Sequence, residues 1–449
     1  MATAARKYDL YSDAFRADTY ATFARMREQD PVLCQPGLDG ETPIWFVTRY
    51  DDADAVLRDN ARFVRDPRLA LPPEQLRSGL PEFVAFIDSN MLNRDGEDHR
   101  RLRRLVSKAF TPRMIERLRP RIQEIADELI DRVTAAGEME LVSAFAFPLP
   151  MTVIAELLGV PVADRDRFRE WSTAMVRPAL TADEADRADA LLTAFVDYLL
   201  ALFAQRREKP GEDLISALVA VEDGGDTLSE EELSSMVALL IVAGHETTVS
   251  LIGNAMLALL THPEQRSELE RDPSLLPRSV EGLIRFDGPV ERTLNRWAAA
   301  DVELRGQTIR RGELVIVVLG AADRDPQRFE DPDALVLAAE RETRHLGFGR
   351  GPHFCLGAPL ARLEAEIALR HALRRRPASA SRSRRRTSAG GLCRSSAASS
   401  RCRLPGTPSG AAGRAHLRRD ASRRRRRSAR GRAAPSSCRR RARRGTGRA

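Results

Sequence analysis

The feature that most restricts how this chain folds is one uninterrupted helix-forming stretch that opens at Thr227 and runs past Leu260. Ser229 is a good N-cap and Glu232 stands three residues later, the spacing of a capping box in which each side chain satisfies a free amide of the first turn. The stretch stops near Thr261-His262-Pro263. About 30 residues rising ~1.5 Å each make a rod roughly 45 Å long, enough to cross a whole domain. Met236 to Leu260 is apolar enough to suit a membrane, but His245 and Glu246 fall near its middle, where charge is costly. The stretch is therefore expected to be a buried helix of a large soluble protein, with no membrane involved.

Other segments carry apolar residues at three- and four-residue spacing: Thr19 to Asp30, Tyr50 to Asp59, Asp98 to Ala109, Pro112 to Ala136, Pro148 to Leu158 and Asp183 to Glu208. Strand signals are few, at Ile44 to Thr48, Val302 to Leu304 and Glu313 to Leu319, with turns at Gly306 and Arg311-Gly312. The expected fold is mainly α with small peripheral β-sheets.

A formal net charge of +8 over 449 residues hides two segments of opposite sign. From Pro377 to Ala449 there are 23 arginines, no lysine and one acid, Asp420, so this tail carries +22 and residues 1–376 carry −14. Apart from Leu392, Leu404 and Leu417 the tail has no large apolar residue, too little to offset the entropy of ordering it. Residues 1–376 are thus expected to form the folded domain and 377–449 a disordered Arg/Ser/Ala-rich tail. Cys34 and Cys355 lie in the body, and Cys393, Cys402 and Cys438 in the tail, with spacings that fit neither a zinc site nor a disulfide framework. The N-terminus carries Arg6, Lys7, Asp9 and Asp13 and no apolar leader. Both observations suit a reducing cytoplasm.

The segment richest in chemistry is Phe348-Gly-Arg-Gly-Pro-His-Phe-Cys-Leu-Gly-Ala-Pro-Leu-Ala-Arg362. A cysteine at the mouth of a helix meets unpaired amides and the positive end of the helix dipole, which favour the thiolate. Gly349, Gly351 and Gly357 let the backbone turn closely around sulfur, and Pro359 suits the first turn of the following helix. The glycines do not have the spacing of a dinucleotide loop and do not sit in a βαβ unit. Cys34 has no such context and reads as an ordinary structural cysteine.

The run from Phe348 to Gly357 matches the cytochrome P450 haem-binding signature without a mismatch, and residues 8 to 375 resemble a soluble bacterial member of that family. The resemblance implies heme b (iron protoporphyrin IX) held by Cys355 as metal ligand, with Phe348, Gly349, His353 and Gly357 in the cofactor loop. It makes Ala243-Gly-His-Glu-Thr-Thr248 the oxygen-activation motif, with Ala243 and Gly244 against the haem and Glu246 and Thr247 as the acid–alcohol pair that relays protons. His99, Arg103 and Arg296, with His353, would meet the haem propionates. Asn90, Met91 and Leu92, and the run from Pro289 and Val290 to Thr293, would border the substrate. The implied reaction inserts one oxygen atom from O2 into an apolar small molecule, a secondary metabolite. Ferredoxin and ferredoxin reductase would supply electrons to a monomer, docking near Arg100, Arg101, Arg104 and Lys108.

Two features depart from that pattern. The family's Glu-x-x-Arg pair falls on Gly282 and Arg285, with Glu281 one residue away and about 100° around the helix, and the Arg of a later Asp-Pro-Asp-Arg-Phe stretch falls on Ala334. After the cysteine helix the chain lacks a recognisable C-terminal sheet; an out-of-frame reading of high-GC DNA, joined near Arg374 to Pro377, would give such a tail. These departures keep open a haem protein inactive as a monooxygenase. The tail itself implies only nonspecific nucleic-acid binding, since Arg423 to Arg427 supply charge without any aromatic residue to stack on bases.

Overall fold

The computed structural model describes residues 6–76, 89–134, 138–176, 181–337, 344–374, 380–383 and 399–403. The long helix is Glu230–Thr261, and its capping box forms as the sequence predicts, with Ser229 and Glu232 each accepting from the other's backbone amide. Its buried side chains, among them Met236, Ile241, Leu251, Ile252 and Leu259, join the largest apolar core. Burial of each such side chain contributes about 1.5–3 kcal/mol. Helices Pro148–Leu157, Leu276–Asp287 and Ala358–Arg374 pack against it. Both Glu230–Thr261 and Asp183–Glu208 are long and apolar enough to cross a membrane, but 61% of the apolar window of the former is buried inside the fold, as a core helix requires.

One helix predicted from Pro112 to Ala136 is two, Pro112–Arg117 and Arg119–Thr134. Pro120 explains the break: it has no N–H to donate one turn back, so the chain closes a tighter turn with Leu118 N donating to Ile115 O.

The strands form peripheral sheets. The largest has the order β1-β2-β8-β5-β3, from β1 Val32–Pro36, β2 Pro43–Val47, β3 Phe63–Val64, β5 Arg296–Ala298 and β8 Leu314–Val317. β2 and β8 pair in parallel, Ile44 against Leu314 through Val47 against Val317, and the other pairings are antiparallel. A second core lies beside this sheet, around Trp45, Val47, Leu57, Val315 and Val317. β6 Val302–Leu304 and β7 Gln307–Ile309 form a hairpin whose turn, Arg305-Gly306, has positive φ at both residues. β8 is shorter than the predicted Glu313 to Leu319 because the chain turns helical at Leu319–Ala322.

Beyond Arg374 the structure describes residues 380–383 and 399–403. Backbone pairing gives two short strands, β9 Ala380–Ser383 and β10 Ser399–Arg403, and β10 also pairs with β4, Glu138–Glu140. Residues 404–449 lie outside the described residues.

Candidate active site

Cys355 lies three residues before the helix Ala358–Arg374. Its amide donates to Phe348 O at 2.9 Å and Phe354 N to Gly351 O at 3.1 Å, closing the loop on itself. Gly351 has φ +67°, and a Cβ there would stand 2.9 Å from Leu57 O, so the loop's approach to helix Tyr50–Arg58 requires glycine. A Cβ on Gly357 would lie 3.9 Å from Cys355 Sγ. Burial pushes the Cys355 thiol up; the Gly357 amide, the Arg103 and Arg362 guanidiniums and the Ala358 amide pull the other way. Positive groups and amides thus converge on one sulfur, the surroundings that suit a metal-bound thiolate.

A basic cluster gathers beside the loop. The rings of His99, from helix Gly96–Ala109, and His353 are 4.3 Å apart. Arg296 of β5 is buried and donates to Phe63 O at 3.0 Å, and burial draws its guanidinium down to about 10. Burial, then the His353 and Arg103 charges, draw His99 down to about 4. Burial lowers Arg103 as well, opposed by Cys355. Two polar atoms in this cluster, His99 Nε2 and Arg296 Nε, are buried without a hydrogen-bond partner. Buried polar groups without partners are costly, and the carboxylates of a bound group would satisfy them. A haem with two propionates fits both this cluster and the sulfur beside it.

Asp95 was not anticipated. It accepts from His353 Nε2 at 2.9 Å, from Asp66 N at 2.8 Å and from Arg65 N. Burial alone would push its carboxyl up, and these hydrogen bonds outweigh it, leaving Asp95 below its ordinary value. One ring nitrogen of His353, predicted to meet a propionate, is therefore already engaged by a carboxylate.

On the long helix, Ala243 is exposed and Gly244 half-buried at mid-length, amid otherwise buried turns. Thr247 Oγ1 donates to Ala243 O at 2.8 Å, and Thr248 Oγ1 to Gly244 O at 3.2 Å. Glu246 Oε1 stands 3.5 Å from His245 Nε2, and that buried ring also meets Ser172 Oγ at 3.2 Å and Ile241 O at 2.8 Å. Thr248 hydrogen-bonds Glu364 of the cysteine helix, which joins the motif to the sulfur side. Burial pushes the Glu364 carboxyl up to about 8, and its Oε2 has no partner.

The residues expected to border the substrate divide. Asn90 and Met91 are buried, Asn90 Nδ2 donating to Ser235 Oγ of the long helix at 3.2 Å. Leu92 is half-buried and its carbonyl accepts from Arg65. Pro289 is buried and Val290 packs on the second core. The four basic residues expected to dock an electron donor are each paired within the chain. Arg100 bonds Glu97 at 2.6 Å, Arg101 bonds Asp226 at 2.8 Å and Glu232 at 2.5 Å, and Arg104 and Lys108 share Asp223. Exposed pairs of this kind contribute little stability but do neutralise the patch.

At the departure from the Glu-x-x-Arg pattern, a Cβ on Gly282 would fall 2.1 Å from Val336 O, so the backbone at 336–337 fills the space a longer side chain would need. Arg285 donates to the carbonyls of Asp323, Pro332 and Ala334 at 3.3, 2.8 and 2.6 Å. Glu281, set aside in the sequence reading as a non-equivalent partner, accepts from Arg362 Nε at 2.6 Å and Nη2 at 3.0 Å and meets His345 Nε2 at 3.1 Å. Pairings this distant in sequence leave no local signal.

A family model described as Cytochrome P450 matches residues 171–273 and 274–381. Cytochrome P450 107B1 of Saccharopolyspora erythraea is 45% identical over 377 residues, covering 82% of this chain and 90% of its own. The cytochrome P450 monooxygenase PikC of Streptomyces venezuelae is 46% identical over 367 residues, 81% of this chain and 85% of its own. Among solved structures, the bacillaene polyketide synthase cytochrome P450 PksS of Bacillus subtilis superposes with a TM-score of 0.80 at 38% identity, covering 88% of this chain and 99% of that one.

Proposed function

The chain belongs to the cytochrome P450 family, and from that premise we propose that the Cys355 thiolate would hold the iron of its haem. The protein is a haem-dependent monooxygenase of secondary metabolism, an oxidoreductase that uses O2, a small-molecule substrate and a redox partner. Haem, when bound through a thiolate, supplies the chemistry that cleaves the O–O bond. The chain's own residues do the rest. His99, Arg103 and Arg296 would hold the propionates, and His353, fixed by Asp95, packs its ring on His99. Phe348, Gly349 and Gly357 shape the loop around sulfur. Ala243 and Gly244 would leave room beside a bound haem, Glu246 would bring protons in from solvent, and the Thr247 hydroxyl would pass them on. Asn90, Met91, Leu92, Pro289 and Val290 frame the apolar substrate. The polyketide biosynthesis cytochrome P450 PksS of Bacillus subtilis, 43% identical over 368 residues, and the mycinamicin IV hydroxylase/epoxidase of Micromonospora griseorubida, 43% identical over 370 residues, favour a polyketide-type substrate, with hydroxylation or epoxidation as the reaction. A ferredoxin and its reductase feed electrons to a cytoplasmic monomer, and residues 1–376 carry the activity.

The observation that carries this reading is the pairing of a sulfur at a helix mouth with two unpartnered buried donors, His99 Nε2 and Arg296 Nε, beside it. Its test is the CO difference spectrum of the dithionite-reduced full chain. A strongly red-shifted Soret band, lost in Cys355→Ser, is expected. Haem binding that survives Cys355→Ser with an unchanged spectrum would overturn it.

A further inference from the structure

The family's Glu-x-x-Arg position holds Gly282, and no side chain fits there without moving the backbone at 336–337. Arg285 is spent on three carbonyls. What ties the helix Leu276–Asp287 to the cysteine loop is the neighbouring residue. Glu281 takes both donors of one edge of Arg362 through its two oxygens, and through Oε2 it also meets His345. Arg362 lies seven residues after Cys355, on the helix whose first amides face sulfur, and its guanidinium stacks 4.5 Å from the Phe348 ring centroid. The Phe348 carbonyl in turn receives the Cys355 amide at 2.9 Å. His345 stands at the loop's other end, with its ring 5.7 Å from Phe348 and its Nδ1 accepting from Gly347 N at 3.0 Å.

We propose that Glu281 is the positioning residue for the thiolate loop in this chain, clamping both ends of the loop through Arg362 and His345. The inference rests on Cys355 being the haem ligand. A bidentate carboxylate–guanidinium pair fixes angle as well as distance, and a single neutral amide cannot reproduce it. Losing it frees Arg362 from Phe348 and lets the sulfur leave the iron without unfolding the helices around it.

The test uses full-length haem-loaded protein and three readouts: the CO difference spectrum, the rate of haem transfer to excess apomyoglobin, and the far-UV melting curve. Glu281→Gln should lose haem about 10–100-fold faster, as removal of outer-shell partners typically does, and should show the band of a protonated or displaced thiol. Glu281→Asp should restore part of the thiolate band. Arg362→Gln is the second variant, since Arg362 is 36% exposed and its loss spares the core; it should reproduce the spectral change with a nearly unchanged melt. Haem transfer within twofold of the parent and an intact thiolate band in either folded variant would overturn the clamp. A parent protein with no thiolate band would overturn the Cys355 reading itself.

Discussion

On the cysteine side of the site, the Cys355 amide is bonded to Phe348 O, and Glu281 grips Arg362 and His345 around the same loop. On the long-helix side, Thr247 bonds back to Ala243 O of its own helix, and Glu246 faces His245, the adjacent residue, at 3.5 Å. One side is cross-linked between elements distant in sequence; on the other, His245 and Thr248 reach other helices, but Glu246 and Thr247 are held within their own turn. The contrast matches the two tasks. The Cys355 sulfur, as the proposed haem ligand, must not move, because a thiol that drifts ceases to be a ligand. A proton relay, the task proposed for Glu246 and Thr247, must change partners, and a hydroxyl bonded only to its own helix can turn to a new one without moving the backbone. That side should therefore tolerate substitution structurally while losing chemistry.

The strongest way to break the comparison is at the sulfur. Cys355→Ser should abolish the red-shifted CO band and all O2-dependent turnover, checked by spectrum and product assay. Glu246→Gln and Thr247→Ala should leave that band and the melting midpoint in place. Each should cut the product formed per reductant consumed by about 10²-fold, within the range removal of an acid–base group usually costs. Hydrogen peroxide released per NADPH, with a surrogate ferredoxin and reductase, reads the loss. A lowered melting midpoint in those two variants would mean that the long-helix side is as structural as the other.

Gly282 sharpens the comparison from the rigid side. Gly282→Glu, which writes the family's residue back, should destabilise the chain by about 3 kcal/mol, because its Cβ meets Val336 O before its carboxylate reaches Arg285. Adding Ala334→Arg should not rescue it, since the obstacle is the backbone at 336–337. Denaturant melts of the single and double variants check this. Recovery in the double variant would mean that the segment 332–337 shifts easily.

How much of this was legible in the sequence follows the same division. The cysteine loop could be read because its requirements are local, with glycines where the backbone approaches Leu57 and a cysteine before a helix. The long helix could be read because its cap and period are local too. Asp95 bonds His353 across 258 residues and Arg362 bonds Glu281 across 81, and nothing near either partner announces the other. The parallel pairing of β2 with β8 is invisible for the same reason. The break at Leu118 is different: Pro120 was in view, and the apolar period concealed its effect.

Glu364 lies on the cysteine helix and meets Thr248 of the long helix, and its pH response offers the finest test of how closely the two sides are joined. Its carboxyl is buried between the cysteine helix and Thr248, and burial raises it to about 8 from an ordinary value near 4.5. The folded chain thus keeps this proton across a window in which the unfolded chain releases it. Its contribution to stability is fully present below the unfolded value and is lost as pH rises toward 8, at up to ~1.4 kcal/mol per pH unit for one group. Glu364→Gln keeps the shape and a bond for Thr248 but has no proton to lose. Asp323, raised to about 6, and Glu281, lowered to about 2, titrate alike in both proteins and cancel in the difference. The melting midpoint of Glu364→Gln relative to the parent should therefore rise steadily from pH 5 to 8 and level off above that. Parallel curves would mean that water reaches the carboxyl between the two helices, so that the sulfur side and the long helix meet across a wet seam.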